Sequence, residues 1–182
     1  YTVMAADAEV AGRYLCASDA YNTVGERGFW SEDSICNISN EPGIMERFAD
    51  VMNQLLPVAR VRMFYAYVTS ISLFYRNEWL MRFAPDMIGL EAFLEGEADL
   101  YALATILNDA ALHVKHVSHQ DDMYGPLVDG ACSAYRECYR KDSSYADVRN
   151  MYKVALMCKA DILCENSDFD GAMAIYQSLD QI

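Results

Sequence analysis

The sequence predicts an all-α fold of about seven helices, arranged as an irregular bundle or a stack of helical hairpins. Three observations predict it. Apolar residues recur at spacings of three and four along almost every long segment, and strict alternation is nearly absent. The four prolines, at 42, 57, 85 and 126, each stand where a helix is expected to start. Hydrophobic residues make up 53% and charged residues 23% of 182 positions, a globular balance with enough apolar mass for one domain over residues 1–182.

The first helix is expected over Ala5–Thr23, with Val10, Tyr14, Leu15 and Cys16 near its inner face. Gly25 and Gly28 then break the periodicity and leave a loop over about residues 25–40, packed by its own Phe29 and Trp30. Asn40 caps and Pro42 opens a second helix, whose stripe is Ile44, Phe48, Val51, Met52 and Leu55. Pro57 marks the break before a third, in which Val61, Phe64, Tyr65, Val68, Ile71, Ser72 and Tyr75 recur at helical spacing. Its uncharged run, residues 63–75, rises only ~20 Å against a ~30 Å hydrocarbon layer, so it is a core helix.

The stretch "NEWLMRFAP" reads as a connector whose Trp79, Leu80 and Phe83 need cover. A fourth helix starts near Pro85 and Asp86, weakens at Gly96 and continues to about Ser118, with "LEAFLEGEADL" as a solvated face. A fifth runs from about Pro126 to Arg140. A sixth runs from Ser144 to about Glu165, its Ser144 and Asp147 resembling a capping box, and Asp168 caps a seventh. Residues 125–182 form a C-terminal helical-hairpin part.

Fourteen Lys and Arg against 27 Asp and Glu leave a net charge of -13. That field repels phosphate backbones and anionic bilayers, which argues against nucleic acid and membrane surfaces and favours protein partners with basic surfaces. The chain starts at Tyr1, after a removed leader or inside a longer protein, and "YTVMAADAEVAG" lacks the basic flank and apolar core of a signal peptide. A soluble protein in a reducing compartment, cytoplasmic or organellar, is expected over a secreted one. Asn37-Ile38-Ser39 is a glycosylation acceptor only in the secreted case.

The six cysteines, Cys16, Cys36, Cys132, Cys138, Cys158 and Cys164, include no C-x-x-C pair, and four sit in helical patterns as small buried apolar residues. The pairs 132/164 and 138/158 share a midpoint at 148, as an antiparallel hairpin requires, but spacings of six do not stay on one seam. Reduced core thiols are therefore expected. All histidines lie in "DAALHVKHVSHQDD". Asp109, His113 and His116, at i, i+4 and i+7, share a helix face and are the candidate metal ligands. The same histidines, with Lys115 and His119, also suit the last turns of a helix, where cations complement the dipole. No phosphate-binding glycine loop, nucleophile elbow or E-x-x-H element is present, and no cofactor is expected.

Residues 158–179, "CKADILCENSDFDGAMAIYQSL", carry the strongest pattern. Ala160, Leu163, Asp168, Phe169, Ala172 and Tyr176 lie at the offsets of a tetratricopeptide-repeat hairpin, and residues 153–182 resemble that family. Lys159 departs from it, standing where the family prefers an apolar residue, and no second copy precedes the segment. The resemblance implies a helix-turn-helix that stacks on neighbours and serves binding; an ordinary antiparallel hairpin suits the residues as well. The expected function is a non-enzymatic helical scaffold or accessory subunit that binds other protein subunits within a larger assembly. The alternative is a helical metal-binding or metal-dependent protein using Asp109, His113 and His116.

Overall fold

The computed structural model describes residues 43–71, 73–118 and 121–182. The expected helix over Ala5–Thr23, the loop over 25–40, the cap at Asn40 and the opening proline Pro42 lie outside them. Among the described residues there are seven α-helices and no strand, and 82% of positions are helical. The chain divides into two compact units, Tyr1–Arg82 and Phe83–Ile182.

In the first unit, α1 spans Ile44–Met52, α2 Pro57–Ser70, and α3 Leu73–Phe83, whose last residue falls in the second unit. Pro57 sits in the first turn of α2, where its missing N–H costs nothing. Phe48 of α1 is the hub: its ring lies 6.1 Å from Phe64, 5.0 Å from Tyr67 and 5.0 Å from Trp79, so one side chain joins three helices. Arg60 ties the turn below it, donating from Nε to the Leu55 carbonyl at 2.7 Å.

The expected third helix is in fact two. The run 63–75 breaks at Ile71, which is extended at φ -87 and ψ 158 while its side chain stays buried. Thr69 and Ser70 donate their hydroxyls to the carbonyls of Tyr65 and Ala66 at 2.7 and 2.6 Å, and Arg76 Nη2 donates to the freed carbonyl of Ile71 at 3.2 Å. Hydroxyl back-bonding and an arginine cap thus end α2 without glycine or proline. The expected connector is helix α3, with Trp79 and Leu80 fully buried.

The second unit opens with two 3₁₀ turns, Ala84–Met87 and Leu90–Phe93, where one continuous helix is expected. Gly89 separates them at φ 91, a left-handed conformation that glycine adopts without penalty. Gly96 is extended and starts α4, Glu97–His113, rather than weakening a longer helix. In "LEAFLEGEADL" Glu95 and Glu97 are exposed as expected of a solvated face, while Leu90, Leu94, Asp99 and Leu100 are buried. Val114–Ser118 continues α4 as a wider π-turn.

Helix α5 spans Asp121–Lys141, opening before Pro126, which lies inside it. Then come α6, Val148–Glu165, and α7, Phe169–Leu179. The expected capping box at Ser144 does not form: Asp142 accepts from the Ser144 amide at 2.9 Å and hydroxyl at 2.6 Å, holding a turn, and α6 starts after Asp147. Each helix of this unit packs on the next, α4 on α5, α5 on α6, and α6 on α7.

The antiparallel α4–α5 seam depends on small residues. A Cβ on Gly130 would meet Leu107 Cδ1 at 3.0 Å, and Leu107 is itself fully buried. The rings of Tyr101 and Tyr135 meet edge-on at 5.9 Å, and Cys138 donates its thiol proton to the Glu97 carbonyl at 3.3 Å. Gly130→Leu should therefore lower stability by ~1–3 kcal/mol, the usual cost of overpacking. Thermal unfolding followed by circular dichroism checks it, and an unchanged midpoint would mean that the helices do not meet at Gly130.

Candidate functional site

The three candidate metal ligands end up in different surroundings. Asp109 is exposed on α4, His113 is half-buried at its last position with Nδ1 buried and without a hydrogen-bond partner, and His116 is exposed on the π-turn. The i→i+5 bonding of that turn advances each residue through a smaller angle than an α-helix does, so His116 leaves the line through Asp109 and His113. Lys115 lies over the Tyr124 ring at 5.6 Å, and His119 lies outside the described residues. Among the described residues, no group of three His, Cys, Asp or Glu side chains is placed to hold a metal ion.

The cysteines follow the register of the α5–α6 pair. Lys159 Nζ meets Asp129 Oδ1 at 2.9 Å, and the rings of Tyr139 and Tyr152 lie 6.0 Å apart. Both contacts centre on residues 144–146, not on 148, which sets Cys132 level with Cys158 and turns Cys138 toward α4. Neither pairing drawn from the midpoint at 148 matches this register, and Cys132, Cys138, Cys158 and Cys164 are all free thiols; Cys16 and Cys36 lie outside the described residues. Burial pushes Cys132 up to about 12 and Cys138 up to about 11, so both stay protonated and unreactive at neutral pH. Lys159, where an apolar residue would be expected of a repeat, forms a solvent-exposed ion pair with Asp129.

The raised thiols have a signed consequence. A solvated thiol releases its proton near 9, whereas the folded ones hold theirs to about 11 and 12. They leave stability unchanged below about pH 9, and stability falls as pH rises above 9, toward about 11 for Cys138 and about 12 for Cys132, because the unfolded thiols ionise first. Urea titrations across this range should show the decline, and Cys132→Ala should make it shallower. An identical slope in the variant would show that Cys132 is not buried as described.

The C-terminal hairpin forms where the sequence places it. Asp168 caps α7, its Oδ1 accepting from the Gly171 amide at 2.9 Å, and Ala160 and Ala172 are buried as small residues at a helix crossing should be. Tyr176 donates its hydroxyl to Asp161 Oδ1 at 3.2 Å across the α6–α7 seam, and Tyr139 of α5 donates to the Ile182 carbonyl at 3.4 Å. Phe169 begins α7 and Tyr176 reaches across to α6, yet both side chains remain largely open to solvent. They are 66% and 40% exposed, alongside Met173 at 57%, Met157 at 49% and Val154 at 43%.

On α7, Phe169, Met173 and Tyr176 stand at i, i+4 and i+7; on α6, Val154, Met157 and Asp161 stand at i, i+3 and i+7. The Tyr176–Asp161 hydrogen bond joins the two stripes into one face. The sequence signal for it was present as apolar periodicity, but periodicity marks a core stripe and an uncovered one alike. Ala172→Leu should loosen the hairpin, because a buried position at the crossing has no room for added methylenes, and should cost ~1–3 kcal/mol. A wild-type melting temperature for this variant would place residue 172 outside the seam. No known family model, curated protein or solved structure matches this chain.

Proposed function

We propose that this chain is a non-enzymatic helical interaction subunit that presents the α6–α7 hairpin to other proteins. The observation that supports the reading is the contiguous face of Val154, Met157, Phe169, Met173 and Tyr176, large apolar side chains left open on a hairpin whose opposite side is packed. Isolated exposed hydrophobics are ordinary, as Leu56 and Phe93 are here, but five on one face of two joined helices are the usual mark of an interaction surface. Methionine and tyrosine suit that role, the first by adapting its shape and the second by joining an apolar ring to a polar tip. The resemblance to a tetratricopeptide hairpin points the same way, toward a helix pair that binds through stacking.

Affinity purification with quantitative mass spectrometry tests the proposal. The wild-type chain should retain a reproducible set of proteins, and Phe169→Ser, at an exposed position that leaves the fold intact, should release most of that set. Retention of the same proteins at the same yield by the variant, or no reproducible partner for the wild type, would refute the reading.

A further inference from the structure

We infer that the open face of the α6–α7 hairpin receives a basic amphipathic helix of about four turns. The inference rests on the interaction-subunit reading above and adds the chemistry of the partner.

Its length and direction follow from the register. Tyr176 and Asp161 are level with one another, joined by their hydrogen bond. From that point Met173 and Phe169 run back along α7 toward the inter-helix turn, while Met157 and Val154 run back along α6 in the opposite direction. Each arm covers seven residues, about 10 Å at 1.5 Å per residue, so the apolar ridge crosses the hairpin diagonally over about 20 Å. That is the length of about 14 helical residues, and apolar side chains at i, i+3, i+4 and i+7 of a docked helix would follow the ridge.

Its charge follows from the rim. Glu165, Asp168, Asp170 and Asp180 are exposed on the hairpin against one exposed cation, Arg149, since Lys159 is paired with Asp129 and Lys153 is half-buried. An apolar ridge flanked by carboxylates accepts lysine and arginine on the borders of the incoming helix. The same rim disfavours a second copy of this chain, which would bring its own carboxylates and a net charge of -13 to the contact.

Fluorescence anisotropy on the whole chain decides it, using a labelled peptide of about 18 residues made only of leucine and lysine, with leucine at helical spacing. A peptide of the same composition in scrambled order and a leucine–glutamate counterpart serve as controls. The amphipathic lysine peptide should bind saturably, with the scrambled peptide at least about tenfold weaker, equivalent to about 1.4 kcal/mol, and the glutamate peptide not binding. Met157→Ser combined with Met173→Ser should weaken binding by about tenfold or more while the helical spectrum is unchanged. Equal binding of the scrambled peptide, meaning charge attraction alone, or undiminished binding by the double variant would overturn the inference. So would a concentration-dependent dimer in sedimentation that the double variant abolishes, since it would assign the face to a second copy. If these tests fail while Phe169→Ser still strips partners in the affinity purification, the interaction-subunit reading stands and only the partner's chemistry is wrong.

Discussion

Close approach between successive helices is the constraint on which the second unit depends. Gly130 against Leu107 at the α4–α5 seam, and the buried Ala155, Ala160 and Ala172 in the later helices, leave little side-chain volume between backbones. Small residues bring helix surfaces together and raise the number of dispersion contacts per residue, but they tolerate no added methylenes. The first unit solves the same problem in the opposite way, filling the space between α1, α2 and α3 with the rings of Phe48, Phe64, Tyr67 and Trp79.

Small seam residues have a consequence at the end of the stack. Helices α4 and α5 bury leucine, isoleucine and valine between them, while α6 and α7 turn only alanines and Val148 fully inward. Of their larger apolar side chains, Met157, Phe169 and Met173 stay exposed, and Tyr176 is partly exposed where its hydroxyl reaches across to Asp161. An apolar face of this size is a cost to a free molecule and a gain only when covered, which is the physical ground for reading it as a surface for a partner.

Much of the helix class was legible because periodicity and proline placement are local. Pro57 at the start of α2, the Asp168 cap and the buried Ala160 and Ala172 all follow from residue type and spacing. Among the described residues the seven helices are a different set from those expected: α3 stands where the spacing predicts a connector, and the expected first helix lies outside the described residues. What escaped the sequence was set by non-local or competing bonds. The break at Ile71 depends on Arg76 reaching back to a carbonyl, and the start of α6 depends on Asp142 holding Ser144 in a turn. That turn goes with an α5–α6 register in which Cys132 falls level with Cys158, both as free thiols, rather than with the register centred on 148. The π-turn that moves His116 off the Asp109 line is invisible in the same way, since residue spacing presupposes the helix it is counted on.

The open face gains from being held by the rest of the unit. Binding costs the freedom of every group it orders, so a surface that is already fixed loses less affinity to that term. Here the face is fixed three times: Tyr176 is bonded to Asp161 across the seam, Asp168 caps α7 next to Phe169, and Tyr139 of α5 holds the chain at Ile182. The methionines remain the adaptable elements on this rigid frame, with Met157 and Met173 on opposite sides of the Tyr176–Asp161 bond. For a helical partner of the kind proposed, a tyrosine at the centre with deformable thioethers on either side would select for helical shape and apolar spacing while tolerating variation in the side chains presented. The carboxylates around it would then act chiefly on encounter rate and orientation of such a partner, because exposed charges at a rim contribute little to the final affinity.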